Sequence, residues 1–145
     1  MSQKRDTLNI LKECNSGITM GAAAIEKVLP TVKNRELRDV LTACKDKHKE
    51  LGDETHRLLL IHGSDTKPPH RMAKLMSDAK IDTQLMLRPG DKTVASLMTD
   101  GCTMGIKSLS GYLNKYKNAD RTSRSIAARL IASEEYLALK MREHL

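Results

Sequence analysis

Residues 37–59 read LRDVLTACKDKHKELGDETHRLL. At about 100° per residue, Leu37, Val40, Leu41, Cys44, His48, Leu51, Thr55, Leu58 and Leu59 share one face. Lys47, Lys49, Glu50, Asp53 and Glu54 fall at its flanks or outside it. An apolar stripe of this length at helical period predicts an amphipathic helix over about 34–62. The segment from 120 onward repeats the pattern with Ile126, Ala127, Leu130, Ile131, Glu134, Leu137, Met141 and Leu145.

Chain breakers mark off the rest. Pro30, the run Gly63-Ser64-Asp65-Thr66-Lys67-Pro68-Pro69 and Arg88-Pro89-Gly90-Asp91 each interrupt a helical pattern, and Asn118-Ala119-Asp120 is a weaker break. The predicted helices are therefore α1 over about 4–29, α2 over 34–62, α3 over 70–87, α4 over 92–117 and α5 over 120–144. Asp120 is placed to cap α5, and Asp91 or Thr93 to cap α4. Aromatic residues make up 2% of the 145, with three Tyr and neither Phe nor Trp. A sandwich or barrel core would draw on them, so the fold is all-α. The expected arrangement is one domain over 1–145: a hairpin over 4–62, a connecting helix over 70–87 and a hairpin over 92–145. Four long helices with an extra short helix in the central connection describe a four-helix bundle.

The hairpins carry an internal repeat. Gly17-Ile-Thr-Met-Gly21 matches Gly101-Cys-Thr-Met-Gly105 at four of five positions. Carried forward, with two residues added in the turn, the alignment pairs Val40 with Ile126, Leu51 with Leu137, Thr55 with Met141, and His48 with Glu134. The glycines lie on apolar stripes: Ile10, Cys14, Gly17, Gly21, Ala24 and Val28 in α1, and Val94, Met98, Gly101, Gly105 and Tyr112 in α4. Counting back from the turns sets Gly17 level with His48, and Met104 with Glu134. Two polar residues thus occupy the centres of apolar stripes, opposite glycines and at similar heights.

Burying either polar residue alone is costly, so the first expectation is a hydrogen-bonded His48–Glu134 pair. The second is a metal site for iron or another divalent metal on His48 and Glu134, joined by Cys44 or Cys14. A full di-iron set needs glutamates and Glu-x-x-His on facing helices. The nearest match, Asp53-Glu54-Thr55-His56, points away from the stripe. The twin hairpins, the repeated Thr-Met-Gly and the Gly-x-x-Met-Gly stripe, above all from Ala73-Lys-Leu-Met76 to Asp100-Gly-Cys-Thr-Met-Gly-Ile106, resemble a largely uncharacterised group of bacterial four-helix-bundle proteins near the ferritin-like superfamily. The resemblance implies a ferritin-like bundle and brings no activity with it.

Other chemistry is sparse. Three cysteines form no CxxC, and Cys14 and Cys44 stand roughly 10 Å out of step along the axis, too far for a disulfide. That usage, with no apolar leader after Met1, points to the cytoplasm. No cysteine or serine shows a base and an orienting partner in the sequence, and there is no phosphate loop or HExxH. The sequence therefore leans away from an enzyme and from a cofactor. Met72, Met76 and His70 could offer soft ligands, but core filling by methionine is the simpler account. It puts Met72, Leu75, Met76, Ala79 and Leu85 or Met86 inward on α3. The net charge of +7 is spread thinly, with Lys117, Arg121, Arg124 and Arg129 as its richest cluster, unlike a phosphate-tracking stripe. The expected partners are thus a second copy of the chain, as a homo-oligomer, or another protein, and no membrane, with electrostatic binding of nucleic acid as the alternative that the spread of charge disfavours.

Overall fold

A computed structural model describes residues 2–64 and 71–145, with the backbone alone for 71–75. The helices are α1 (Ser2–Val28), α2 (Arg35–Ile61), α3 (Arg71–Leu87), α4 (Asp91–Lys115) and α5 (Arg121–Met141), with 3₁₀ turns at Leu29–Thr31 and Arg142–His144. There is no strand among the described residues. Each end follows from local chemistry. Pro30 sits in the turn that closes α1. Asn34 and Asp120 cap α2 and α5, accepting the N–H of Leu37 at 3.0 Å and of Ser123 at 2.8 Å. Gly63, at φ 69°, ends α2 in a left-handed turn. There Ser64 N–H reaches Leu59 O and Gly63 N–H reaches Leu60 O, a Schellman pair.

α1 packs along α2 and α4 along α5, while α5 also meets both α1 and α2, and α4 meets α1. Cys44 and His48 of α2 meet Ser133 and Glu134 of α5, while Glu54, further along α2, meets Arg129, earlier in α5. The two helices are therefore antiparallel. Arg129 grips Glu54 with two hydrogen bonds, at 2.9 and 3.0 Å. α3 lies against α1 and α4, held by Lys27–Asp82 and Lys80–Asp100.

The stripes are buried much as their periodicity implies. On α2, Leu37, Leu41, Cys44, His48, Leu51, Thr55 and Leu59 are buried, with Val40 and Leu58 half-buried. On α5 the same holds for Ile126, Ala127, Leu130, Leu137 and Met141, but Leu145 lies outside. α3 departs from expectation. Its buried anchor is Ile81, with Leu85 packed behind it, and Met76, Ala79 and Met86 face solvent. Among its described side chains Ile81 alone is buried, between ion pairs that tie α3 to α1 and to α4. The side chains of Met72 and Leu75, and His70 altogether, lie outside the described residues.

Asp91 does not cap α4. The cap position is Gly90, with no side-chain bond. The Asp91 carboxylate instead accepts the backbone N–H groups of Lys33 and Asn34, at 2.9 and 2.8 Å, and ties α4 to the α1–α2 turn. At the other end of the bundle Asp6 and Thr7 do the same for the α4–α5 turn, accepting the N–H of Asn118 at 3.0 Å and of Asp120 at 2.8 Å. These bonds, led by the one from Lys33, hold the Asp91 carboxyl below its usual value near 3.8. Asp91→Ala is expected to cost about 1 kcal/mol at neutral pH. A depressed pKa stabilises above the unfolded value, so the difference from wild type should shrink as pH falls below about 3.8. Urea titrations at pH 7 and pH 3 would check both.

Candidate functional site

The core falls into two clusters. One gathers Ile25, Leu41, Cys44, Cys102, Leu137 and their neighbours, and the other Ile18, Leu51, Leu109, Leu130 and theirs. Between them lie His48 and Glu134. His48 is 1% exposed. Its Nε2 is 3.1 Å from Glu134 Oε1, and its Nδ1 is 3.0 Å from the Cys44 carbonyl oxygen. Both partners are acceptors, so both ring nitrogens carry protons and the ring is an imidazolium. Burial disfavours that charge, but the side-chain hydrogen bonds to the Cys44 sulfur and to Glu134 outweigh it and raise the pKa to about 10. The two are thus joined as an ion pair, with the His48 side chain 1% and the Glu134 side chain 13% exposed.

The glycines opposite are Gly21 and Gly105. A Cβ on Gly21 would stand 2.8 Å from His48 Nε2, and one on Gly105 would stand 3.5 Å from the Glu134 carboxyl carbon. Gly17 was expected level with His48, and Gly101 with Gly105 close to Glu134, yet Gly17 and Gly101 are exposed and a Cβ on either would meet nothing within 4 Å. Met104, expected level with Glu134, is 68% exposed. The slip in α1 has a simple cause. Helical side chains lean toward their own N-terminus, so the His48 ring sits at the height of Cys44, one turn nearer the hairpin turn, and meets Gly21.

Two cysteines join this waist. The Cys44 sulfur is 3.6 Å from His48 Nδ1 and 3.9 Å from Ser133 Oγ. Cys102 is 2% exposed. Burial, then the charge of Glu134 and a hydrogen bond to it, pushes its thiol far up. Cys14, also buried, belongs to the second cluster away from the pair, and burial pushes its thiol up to about 12. Sequence reasoning missed that Cys44 has a histidine and, behind it, a carboxylate in line. The four-residue spacing to His48 was visible, but not that the ring turns back to its own preceding turn.

The donor set does not fit a metal well. His48 and Glu134 supply two ligands that already satisfy each other. Among the described residues the one group of three donors within 4.8 Å of one another is Glu36, Glu143 and His144, at the bundle's end and largely exposed. The basic cluster is partly committed as well. Arg124 donates to the Leu113 and Tyr116 carbonyls, and Arg129 to Glu54.

A groove of about 580 Å³ opens between α2 and α5, walled by Val40, Ala43 and Cys44 on one side and Ala132, Ser133 and Leu137 on the other. Exposed Asp39, Lys47 and Tyr136 also line it. No described helix is long and apolar enough to cross a membrane. Compared with known proteins, the chain matches no family model, no curated protein and no solved structure.

Two outcomes check the site. The His48 ring is locked at both nitrogens and cannot yield to a Cβ, so Gly21→Ala should destabilise by about 1–2 kcal/mol. Gly17→Ala, in open helix, should instead stabilise by about 1 kcal/mol. Thermal denaturation of the two variants should therefore move in opposite directions. Second, the folded pKa of His48 lies above its unfolded value near 6.5, so its contribution is complete below about 6.5 and is lost as pH rises toward about 10. Urea stability should fall across that window, and a flat profile would mean a neutral His48.

Proposed function

We propose that this chain is a non-enzymatic, ferritin-like helical bundle of two similar hairpins that acts through self-association, and that its contact face is the α2–α5 groove. The ferritin-like assignment is supported by antiparallel pairing across the α2–α5 seam and by the long connection that carries α3. The two-hairpin reading is supported by matching details. Asn34 and Asp120 are the caps, Arg38 and Arg124 each reach back to carbonyls of the preceding turn, and His48 and Glu134 face each other. All three pairs share one offset. Gly21 and Gly105 share the offset of the sequence repeat, as do Thr19 and Thr103, which bond their own helices alike.

The observation that carries self-association is the groove's charge pattern. Ala43 and Ala132 are small and exposed, so another helix can approach closely. Asp39 lies four residues before Ala43, and Lys47 four after it. A two-fold axis through Ala43 would set Asp39 of one copy against Lys47 of the other, twice. That is the self-complementarity an isologous interface requires. Its occupant is therefore a second copy of this chain.

Sedimentation equilibrium should show a concentration-dependent dimer. Asp39→Lys should weaken it about tenfold or more through like-charge contact, and the double variant Asp39→Lys, Lys47→Asp should restore it. Wild-type protein that stays monomeric at every concentration would sink the reading.

A further inference from the structure

We propose that Cys44 is a covalent modification site, whose thiol adds to apolar, uncharged α,β-unsaturated carbonyl compounds that enter the α2–α5 groove. Three observations meet there. Cys44 is buried at 8% exposure but is the one cysteine that lines the groove, whereas Cys14 and Cys102 are enclosed in the core at 1% and 2% exposure. The protonated His48 ring stands 3.6 Å from the Cys44 sulfur, held there by Glu134. A cysteine beside a histidinium and open to a cleft is the setting of a reactive thiol. The groove walls nearest it, Val40, Ala43, Ala132 and Leu137, are apolar, which favours an electrophile with a hydrocarbon body and no charge.

The addition is balanced without a further reagent. The sulfur's electron pair forms the S–C bond at the β carbon. The π pair moves toward the carbonyl, and the thiol's proton ends on the α carbon, passed through water at the groove mouth. Nothing is oxidised or reduced and nothing leaves. The His48 charge offsets the negative charge on sulfur once its proton has gone, and Ser133 Oγ, 3.9 Å away, offers a weak hydrogen bond. The site exists in the free chain. That an adduct and a second copy would exclude each other is a consequence resting on the self-association reading above.

The test uses the intact chain, diluted until it sediments as a monomer, and oct-1-en-3-one as the probe. Intact mass and peptide mapping are followed over time. The expected result is one adduct per chain, on Cys44, formed at least about tenfold faster than on Cys14 or Cys102. Ala132→Leu, which fills the groove from α5 and leaves His48 in place, should slow the labelling by a similar factor. The proposal is overturned if Cys14 or Cys102 reacts as fast. It is equally overturned if no adduct forms until urea unfolds the chain, or if Ala132→Leu reacts at the wild-type rate. A chain that never dimerises would remove the self-association reading alone.

Discussion

The His48–Glu134 pair is the constraint around which the bundle is arranged. A lone imidazolium or carboxylate in an apolar core is costly, and each is tolerated because the other is there. The pair needs room, and Gly21 and Gly105 supply it by having no side chain where the two groups lie. It also sets register. The core residues a turn to either side are apolar: Ile18 and Ile25 about Gly21, Cys44 and Leu51 about His48, Leu130 and Leu137 about Glu134. Sliding one helix by a turn would exchange one apolar contact for another at modest cost. The same slip would part His48 from Glu134 and leave a buried imidazolium and a largely covered carboxylate unmatched.

The ends of the bundle are fixed by a different device. Two interhelical turns expose backbone N–H groups that no helix can satisfy. Asp91 takes those of Lys33 and Asn34, and Asp6 with Thr7 takes those of Asn118 and Asp120. Each hairpin therefore closes the turn of the other. The waist fixes how the helices are phased, and the clamps fix how the hairpins meet.

The helices were legible in the sequence because their ends are written locally. Pro30, Asn34, Gly63, Gly90 and Asp120 act within a few residues, and the stripes of α2 and α5 repeat without interruption. His48 and Glu134 stood out because a polar residue inside an apolar stripe must be answered by something. What was not legible depends on distance or on direction. Asp91 has a good local role as a cap and loses it to a turn 57 and 58 residues away. Gly17 and Gly21 lie on the same stripe, and only the lean of the His48 side chain decides between them. Cys102 carries no local sign of a polar neighbour, and only α5 brings Glu134 beside it. α3 has several apolar residues and one partner line, so its pattern could not say that Ile81, rather than Met76, would be covered.

On the equivalence of hairpins proposed above, the informative positions are those where the two halves differ. Leu51 and Leu137 are alike and buried, as packing alone would demand. His48 and Glu134 differ in charge, and one ion pair needs one of each. Cys44 and Leu130 are also equivalent, but no such need explains their difference. Leu130 fills its place completely, while Cys44 is shorter and borders the open groove. A second leucine would have filled space beside the His48 ring, so core packing by itself gives no reason for sulfur there. Among the positions where the halves differ, this one places a thiol beside the buried positive charge of the waist. Stability alone does not require that placement, whereas the addition proposed for the groove would use it.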